Sequence, residues 1–168
     1  MKTETQLTRM SPPMRSRWIE RRATRALELE GSERVLVIGF GKGGGVRRLM
    51  RRLPWGYVSG VDPSAAMVRR AKRRNRRFMR GGLVDLRLGN ASHLPWPDAT
   101  FDAVVAVNAT ELSEAKRVLK DDGCISIALQ GAPERGDQIV KKLWHSGFVC
   151  VRSRVGRAKA VYATALAA

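Results

Sequence analysis

The chain has little of the residues on which metal and thiol chemistry depend. Its 168 residues include two cysteines and two histidines, and CxxC, HExxH and paired-carboxylate motifs are missing. These absences argue against zinc hydrolases, other metal enzymes and glycosidases. Cys124 and Cys150 each lie in an apolar run, which favours a small core side chain over a catalytic thiol. Neither a metal site nor a catalytic cysteine is expected.

Long apolar runs are also lacking. No stretch approaches the roughly 18 consecutive apolar residues that a membrane helix needs, and the segment from Met1 to Met10 is polar rather than signal-like. The sequence therefore predicts a cytoplasmic protein that does not span a membrane. A length of 168 residues with 43% hydrophobic positions suits one buried core, so a single globular unit is expected.

The whole chain has a formal net charge of +17, and acidic residues are scarce in its N-terminal half. From Arg9 to Arg80 there are 18 Arg and 2 Lys against 5 acids, whereas from Gly81 to Ala168 there are 11 bases against 9 acids. Such asymmetry raises the local concentration of anions and favours RNA or an acidic protein surface as a partner. A solvated, Arg-rich helical face explains the same charge equally well.

Hydrophobic periodicity predicts strands that alternate with helices. Short apolar runs indicate strands over 34–38, 57–61, 83–88, 101–107, 124–129, 148–153 and 159–163. Helical spacing indicates helices over 11–30, 46–53, 63–80, 112–119 and 134–144. This alternation is typical of a parallel sheet with crossover helices. Only five residues separate the last two strands, so these should form an antiparallel hairpin.

A glycine-rich turn, Gly39-Phe40-Gly41-Lys42-Gly43, follows the first strand. Glycines let the backbone approach a ligand closely, and the free N–H groups of the next helix favour an anionic or carboxylate-bearing ligand. By itself the pattern is unspecific, because dinucleotide-binding domains share it and tight packing alone explains it.

Asp62 adds a second, independent signal at the end of the second strand. The carboxyl ends of neighbouring parallel strands meet at one edge of a sheet, so Asp62 should lie beside the glycine turn. There it could accept hydrogen bonds from two ribose hydroxyls. Because Asp62-Pro63 precedes a helix, capping of that helix is the alternative, and the adjacent glycine turn favours the ribose role.

In their order and spacing, four stretches of the chain resemble the class I S-adenosylmethionine-dependent methyltransferases, particularly the small domains related to the ubiquinone-biosynthesis enzymes. These stretches are 35–43, 60–67, 88–102 and 117–123. The resemblance implies a Rossmann-like, doubly wound α/β fold with a mostly parallel seven-stranded sheet and a C-terminal antiparallel hairpin. It implies S-adenosylmethionine as cofactor and S-adenosylhomocysteine as product. Residues 1–30 would form a basic helical segment covering the site, and residues 31–168 the cofactor-binding domain.

The same resemblance implies which residues border the cofactor. The glycine turn would hold the methionine part and Asp62 the ribose, while residues after the second, third and fourth strands would border the adenine and close the site. The residues implied are Gly39, Phe40, Gly41, Lys42, Gly43, Asp62, Pro63, Met67, Asn90, Ala91, Ser92, Val107 and Asn108.

Three positions depart from the family pattern. Relatives usually carry an acid two residues before the first glycine, where this chain has Val37, and that loss would weaken the hold on the cofactor's amino group. An adenine-contacting acid is replaced by Asn90, whose amide can still donate or accept a hydrogen bond. The third departure is a shortening: only eight residues separate Asn108 from Arg117, where relatives usually have a longer loop and helix that wall the substrate pocket. The acceptor site should therefore be open, or completed by another chain, for instance in a homodimer.

Methyl transfer from a sulfonium is an in-line displacement by an activated donor, so positioning the acceptor matters most and a dedicated base is optional. No catalytic residue is assigned. Candidates at the edge of the site are Asn108 as an orienting group, Glu111, Glu114 and His93. For His93, an ordinary surface position in the loop is favoured.

The leading hypothesis is a methyltransferase with a small-molecule acceptor. The alternatives are a non-catalytic, methyltransferase-like scaffold or partner subunit, and an RNA-directed methyltransferase.

Overall fold

A computed structural model describes residues 13–131, 135–156 and 160–168, with side chains from residue 19 onwards. Five helices and seven strands lie within these ranges. In chain order they are α1 Pro13–Arg25, β1 Arg34–Ile38, α2 Gly44–Met50, β2 Tyr57–Asp62, α3 Ala65–Arg80, β3 Val84–Leu88, β4 Phe101–Val107, α4 Ser113–Val118, β5 Leu119–Leu129, α5 Arg135–His145, β6 Phe148–Val155 and β7 Val161–Ala167.

The seven strands form one sheet in the order β3-β2-β1-β4-β5-β7-β6. Strands β1 to β5 pair in parallel, whereas β7 is antiparallel to both β5 and β6. The predicted Rossmann-like sheet with its C-terminal antiparallel hairpin is confirmed. Strand order reverses at β1, which lies between β2 and β4, and ligands of such sheets bind in the crevice at this reversal.

Alternate residues of the sheet point to opposite faces, as the pleat of a strand requires. In β1, Val35 and Val37 pack in the core formed with α1, α2 and α3. Leu36 and Ile38 pack in the second core, formed with α4 and α5. The Arg-rich helices next to the first two turns therefore share one face of the sheet.

Helix α3 is the longest helix described, with 16 residues. It starts after Ser64, whose Oγ accepts a hydrogen bond from the Met67 N–H, and it buries Val68, Ala71 and Asn75. Its remaining surface is dominated by exposed Arg and Lys side chains. Within the described ranges, neither α3 nor any other helix combines the length and apolarity needed to cross a bilayer.

Several element bounds differ from the prediction because pairing between distant strands sets them. β5 begins at Leu119 rather than at residue 124, since Leu119 pairs with Phe101 and the following turn residues continue the strand through an irregular register. β7 extends to Ala167, which pairs with Phe148. The predicted element starts at residues 11, 134 and 159 lie outside the described residues.

The two cysteines have different environments. Cys124 is partly buried beside the α1–α3 core, where burial and the nearby Glu28 carboxylate raise the pKa of its thiol. Cys150 is exposed, so the expected core position is wrong for this residue. The register of β6 shifts between Val149 and Arg152, and Cys150 has a φ of 53°. This bulge interrupts the alternation that an apolar run normally implies.

Candidate functional site

The turn after β1 fits tightly between two neighbouring strands. The Gly39 N–H donates to Val61 O at 2.9 Å, and a Cβ on Gly39 would lie 2.4 Å from Val107 O. Gly39, Gly41 and Gly43 have φ angles of 75°, 53° and 73°. Residues other than glycine rarely adopt this left-handed backbone conformation. Glycine is therefore needed at each of these three positions, because the backbone has a positive φ there.

The third glycine packs against α3. Asn75 Nδ2 donates to Gly43 O at 3.1 Å and to Ala71 O at 2.9 Å. Asn75 is fully buried, and a Cβ on Gly43 would lie 2.6 Å from Asn75 Nδ2. The Asn75 amide thus fastens the turn to the helix. Sequence reasoning missed this residue, although an amide on the apolar stripe of an Arg-rich helix was a signal for a buried hydrogen bond.

Asp62 lies on the other side of the turn and is 6% exposed. Its Oδ2 accepts from the Gly41 N–H at 2.8 Å, and its Oδ1 accepts from the Ser64 N–H at 2.9 Å. A carboxylate oxygen has two lone-pair positions, so both oxygens retain capacity for hydroxyl donors. The N-cap of α3 is Ser64. Capping of that helix by Asp62, the alternative raised by the sequence, is therefore wrong.

The loop after β3 approaches Asp62. The Gly89 N–H donates to Asp62 O at 3.2 Å, which brings the following residues to the same edge of the sheet. Asn90 Oδ1 accepts from the Ser92 N–H at 3.1 Å and from Ser92 Oγ at 2.7 Å. Ala91 packs against the α4–α5 core. The Asn90 oxygen thus organises its own loop, and its amide N–H groups are suited to the acceptor nitrogens of an adenine ring.

Asn108 joins the ends of two strands. It follows Val107 with a φ of 54°, and its N–H donates to Ala128 O at 2.8 Å. Its Oδ1 accepts from the Gln130 N–H at 2.9 Å. The side-chain oxygen is therefore engaged with the backbone after β5. This contact shapes the rim of the site, while the amide N–H groups remain able to donate, so the orienting role considered for Asn108 stays a prediction.

The remaining predicted site residues differ in exposure. Phe40 is 1% exposed, and a Cβ on Gly60 would lie 2.7 Å from Phe40 Cδ1, so the Phe40 ring belongs to the core. Only its backbone can face a ligand. Lys42 and Pro63 are exposed, and Met67 is half-buried. Contact of the predicted residues with a cofactor stays a prediction.

Among the acid–base candidates, Glu114 has a structural role. Arg117 donates to both of its carboxylate oxygens at 2.7 and 2.8 Å, and the Leu94 N–H donates to Oε2 at 2.9 Å. These hydrogen bonds lower the pKa of Glu114 to about 2. A carboxylate so stabilised in its ionised form is a weak general base. His93 and Glu111 are exposed, and Glu111 accepts from Ser113 Oγ at 3.5 Å.

Helix α1 brings a second carboxylate to the glycine turn. Glu20 is 7% exposed, and a Cβ on Gly44 would lie 3.3 Å from Glu20 Oε2, while a Cβ on Gly41 would lie 3.6 Å from Oε1. Sequence reasoning missed Glu20. The available signal was its position three residues before Ala23 and seven before Leu27, on the apolar stripe of a helix whose other charged residues are all Arg.

This combination of groups suits a nucleoside that carries an amino-acid tail. Asp62 offers acceptors for vicinal hydroxyls, the glycine turn offers close backbone approach, and Glu20 offers a negative charge at the turn. Within the part of the chain that the structure describes, no group of three or more His, Cys, Asp or Glu residues could hold a metal ion.

Known proteins resemble the chain across this region. A family model described as a methyltransferase domain matches residues 35–123. The malonyl-[acyl-carrier protein] O-methyltransferase of Geobacter sulfurreducens is 35% identical over 112 residues, which cover 61% of this chain and 41% of that protein. The demethylmenaquinone methyltransferase of Tropheryma whipplei is 33% identical over 123 residues, covering 68% and 49%. The chain thus spans about half the length of these curated relatives.

Solved structures share the fold at low sequence identity. A SAM-dependent methyltransferase from Aquifex aeolicus matches with a TM-score of 0.74 and 20% identity, with 100% of each chain covered. The [4+2]-cyclase SpnF matches with a TM-score of 0.74 and 19% identity, covering 94% of this chain and 83% of SpnF. A chain in the complex of the Haloferax volcanii Trm112 methyltransferase activator with a methyltransferase matches with a TM-score of 0.75 and 16% identity, with 91% of each covered.

The family model covers more than half of the chain and includes both the glycine turn and Asp62. Together with the fold, it shows that this chain belongs to the class I S-adenosylmethionine-dependent methyltransferase family.

Proposed function

We propose that the chain binds S-adenosylmethionine across the glycine turn and Asp62 and transfers its methyl group to an acceptor. The observation that carries this proposal is the 2.8 Å hydrogen bond from the Gly41 N–H to Asp62 Oδ2. It holds the two cofactor-binding elements, which come from different strands, in one place. When bound, the cofactor supplies a methyl group that its sulfonium has already activated.

The chain's own residues then act by positioning. Asp62 accepts hydrogen bonds from the ribose hydroxyls, the turn from Gly39 to Gly43 approaches the methionine part, and Asn90 donates toward the adenine. Because Arg117 holds Glu114 in its ionised form, the acceptor atom is one that is nucleophilic without Glu114 as a strong base beside it. In-line alignment of that atom with the methyl group is the main contribution to the rate.

Titration calorimetry with S-adenosylmethionine and S-adenosylhomocysteine tests the cofactor site. Asp62→Asn should weaken binding of both ligands by about tenfold to a hundredfold, because each hydrogen bond to a charged acceptor contributes about 1.5–3 kcal/mol. Asp121→Asn, which alters an exposed acid on β5, is the matched control and should bind normally. Lack of binding to either ligand at millimolar concentration, or full affinity of Asp62→Asn, would refute the proposal.

The acceptor in this proposal is a small molecule that reaches the cofactor beside the short segment between β4 and α4. The curated relatives carry the names of enzymes that methylate malonyl groups on acyl-carrier protein and demethylmenaquinone. A partner chain or second copy could complete the open side, and the Trm112 complex is a structural precedent for a bound activator. Isolation of a stable heteromeric complex that methylates none of its components would favour the scaffold alternative instead.

RNA-directed methyl transfer is a second candidate, favoured by the surface of α3. Eight of its side chains are cationic and exposed, and the helix has no acidic residue: Arg69, Arg70, Lys72, Arg73, Arg74, Arg76, Arg77 and Arg80. The helix begins three residues after Asp62 and extends for about 24 Å at 1.5 Å per residue. A polyanion lying along it would therefore start at the edge of the cofactor site.

Salt-dependent binding of a labelled single-stranded RNA tests this candidate. The fourfold variant Arg70→Gln/Arg73→Gln/Arg74→Gln/Arg77→Gln should reduce the slope of log K against log salt by about 3, if all four side chains meet phosphates. The control Lys141→Gln/Lys142→Gln, on α5, should leave the slope unchanged. Absence of RNA binding at low salt would remove the candidate. Equal binding of polyglutamate would point to an acidic protein partner.

A further inference from the structure

The amino-acid tail of S-adenosylmethionine carries an ammonium group, which must find an anionic or carbonyl partner when it leaves water. The end of β1 offers no carboxylate for it, since residue 37 is a buried valine. Starting from the proposed function, on which this inference rests, we infer that Glu20 of α1 supplies that partner and recognises the α-ammonium group of the cofactor.

The position of Glu20 supports this role. Its two carboxylate oxygens lie near the turn and the start of α2: 3.6 Å from a Cβ on Gly41, 3.3 Å from one on Gly44 and 3.6 Å from one on Gly45. A Cβ on Gly44 would crowd the carboxylate, whereas a Cβ on Gly41 or Gly45 would be in ordinary van der Waals contact with it. The lack of a side chain at Gly44 therefore lets Glu20 lie close to the turn.

The two carboxylates at the turn lie on different sides of Gly41. The Gly41 N–H donates to Asp62 Oδ2, while the position of a Cβ on Gly41 faces Glu20 Oε1. A cofactor that crosses Gly41 with its ribose at Asp62 therefore extends its tail toward Glu20. This arrangement assigns one end of the ligand to each carboxylate.

Burial of Glu20 strengthens its attraction for an ammonium that is already desolvated in the site. Glu20 is 7% exposed, held by a helix whose neighbouring residues Ile19 and Ala23 are buried in the α1–α3 core. An ion pair gains strength where water is largely excluded. Each carboxylate oxygen has two acceptor positions, so the carboxylate can keep its contacts within the protein and still accept from an ammonium.

The test compares S-adenosylhomocysteine with its deaminated analogue, in which hydrogen replaces the α-ammonium group, by titration calorimetry on the full chain. The unaltered protein should prefer S-adenosylhomocysteine by about tenfold to a hundredfold. In Glu20→Gln that preference should largely disappear, through weaker binding of S-adenosylhomocysteine and unchanged binding of the analogue. Glu28→Gln, in which an exposed glutamate beyond the end of α1 is altered, is the matched control and should keep the full preference.

The outcomes separate this inference from the function on which it rests. If the unaltered protein binds neither ligand, the proposed function fails and the inference with it. If it binds both and Glu20→Gln retains the preference, only the inference fails. Tighter binding of both ligands by Glu20→Gln would also overturn it, since the Glu20 carboxylate would then compete with the ligand for its place at the turn. Thermal unfolding of Glu20→Gln, followed by circular dichroism, confirms that the isosteric variant is folded, and Glu20→Asp, which keeps the charge, should retain part of the preference.

Discussion

The two helix layers cover similar apolar cores but have different surfaces. Helices α1, α2 and α3 together carry fifteen Arg and Lys residues and one acidic residue, whereas α4 and α5 carry five Arg and Lys residues and two acidic ones. Both interiors consist of aliphatic and aromatic side chains. A dense set of like charges opposes compaction. The apolar cores that the two layers cover therefore do not account for the difference in surface charge.

The layers also hold the site in different ways. The first layer does so through buried polar groups, namely the Asn75 amide that donates to Gly43 O and the Glu20 carboxylate that lies beside the turn. The second layer does so near the surface, where Arg117 joins Glu114 to Leu94 O and Asp98. Buried polar contacts are costly to break, whereas surface ion pairs contribute little. Substitutions in the first layer should therefore have the larger effects.

The largest effect is expected from Gly43→Ala. The new Cβ would lie 2.6 Å from Asn75 Nδ2 and 2.8 Å from Ala71 Cβ, at a φ of 73°. Overpacking and the left-handed conformation together should lower the free energy of unfolding by about 3 kcal/mol or more. Urea denaturation measures the change. Gly82→Ala, at a φ of 70° with no atom within 4 Å, isolates the conformational part and should cost about 1–2 kcal/mol. Equal losses would show that the contact with α3 is unimportant.

A smaller loss is expected from Asn75→Ala. This substitution removes the donor to Gly43 O and leaves that carbonyl without its partner in α3. The free energy of unfolding should fall by about 2 kcal/mol, and binding of S-adenosylhomocysteine should weaken because the turn is less well held. The neighbouring exposed residue provides the control, and Arg74→Ala should stay within about 0.5 kcal/mol. An unaltered stability of Asn75→Ala would contradict the role given to this amide.

In the second layer, Glu114→Gln should lower the free energy of unfolding at pH 7 by about 1 kcal/mol, as expected of a partly exposed ion pair. The pKa of Glu114 in the folded protein, about 2, is below its ordinary value of 4.5. Its contribution is therefore complete above pH 4.5 and is lost as the pH falls toward 2. Urea denaturation at a series of pH values should show the two proteins converging over this range. Glu111→Gln should match the unaltered protein throughout, and a constant difference for Glu114→Gln would contradict the assignment.

The smallest effect concerns the surface charge itself. At low ionic strength, the fourfold Arg→Gln variant of α3 should be more stable than the unaltered protein by a few tenths of a kcal/mol, because repulsion among its cations is relieved. Adding salt should remove this difference. The control Lys141→Gln/Lys142→Gln should show neither effect. A salt-independent loss of stability in the α3 variant would mean that these side chains contribute to folding after all.

Much of the fold follows from local patterns. Alternating apolar runs and helical spacing located β1, β4 and the C-terminal hairpin, and the rule that parallel strand ends meet brought Asp62 to the glycine turn. Periodicity and turn chemistry act over a few residues, so a single sequence reveals them.

What the sequence did not reveal depends on distant packing. Glu20 lies 21 residues before Gly41 in the chain, and Asn75 lies 32 residues after Gly43. In the sequence, a single acid or amide among arginines suggests an exposed position on a helix, and only the packing of the helix against the turn shows that Glu20 and Asn75 are buried. Likewise, β5 begins at Leu119 only because Phe101 is there to pair with it.

The irregular strand β6 has a consequence for association between copies of the chain. It is the last strand of the sheet, and beyond the bulge at Cys150 it carries the exposed side chains Arg152 and Arg154. An open strand edge can template the addition of another strand, which leads to fibril-like stacking. Two copies meeting through this edge would bring four guanidinium groups together across a distorted backbone. The bulge and these like charges therefore disfavour pairing of two copies through this edge of the sheet.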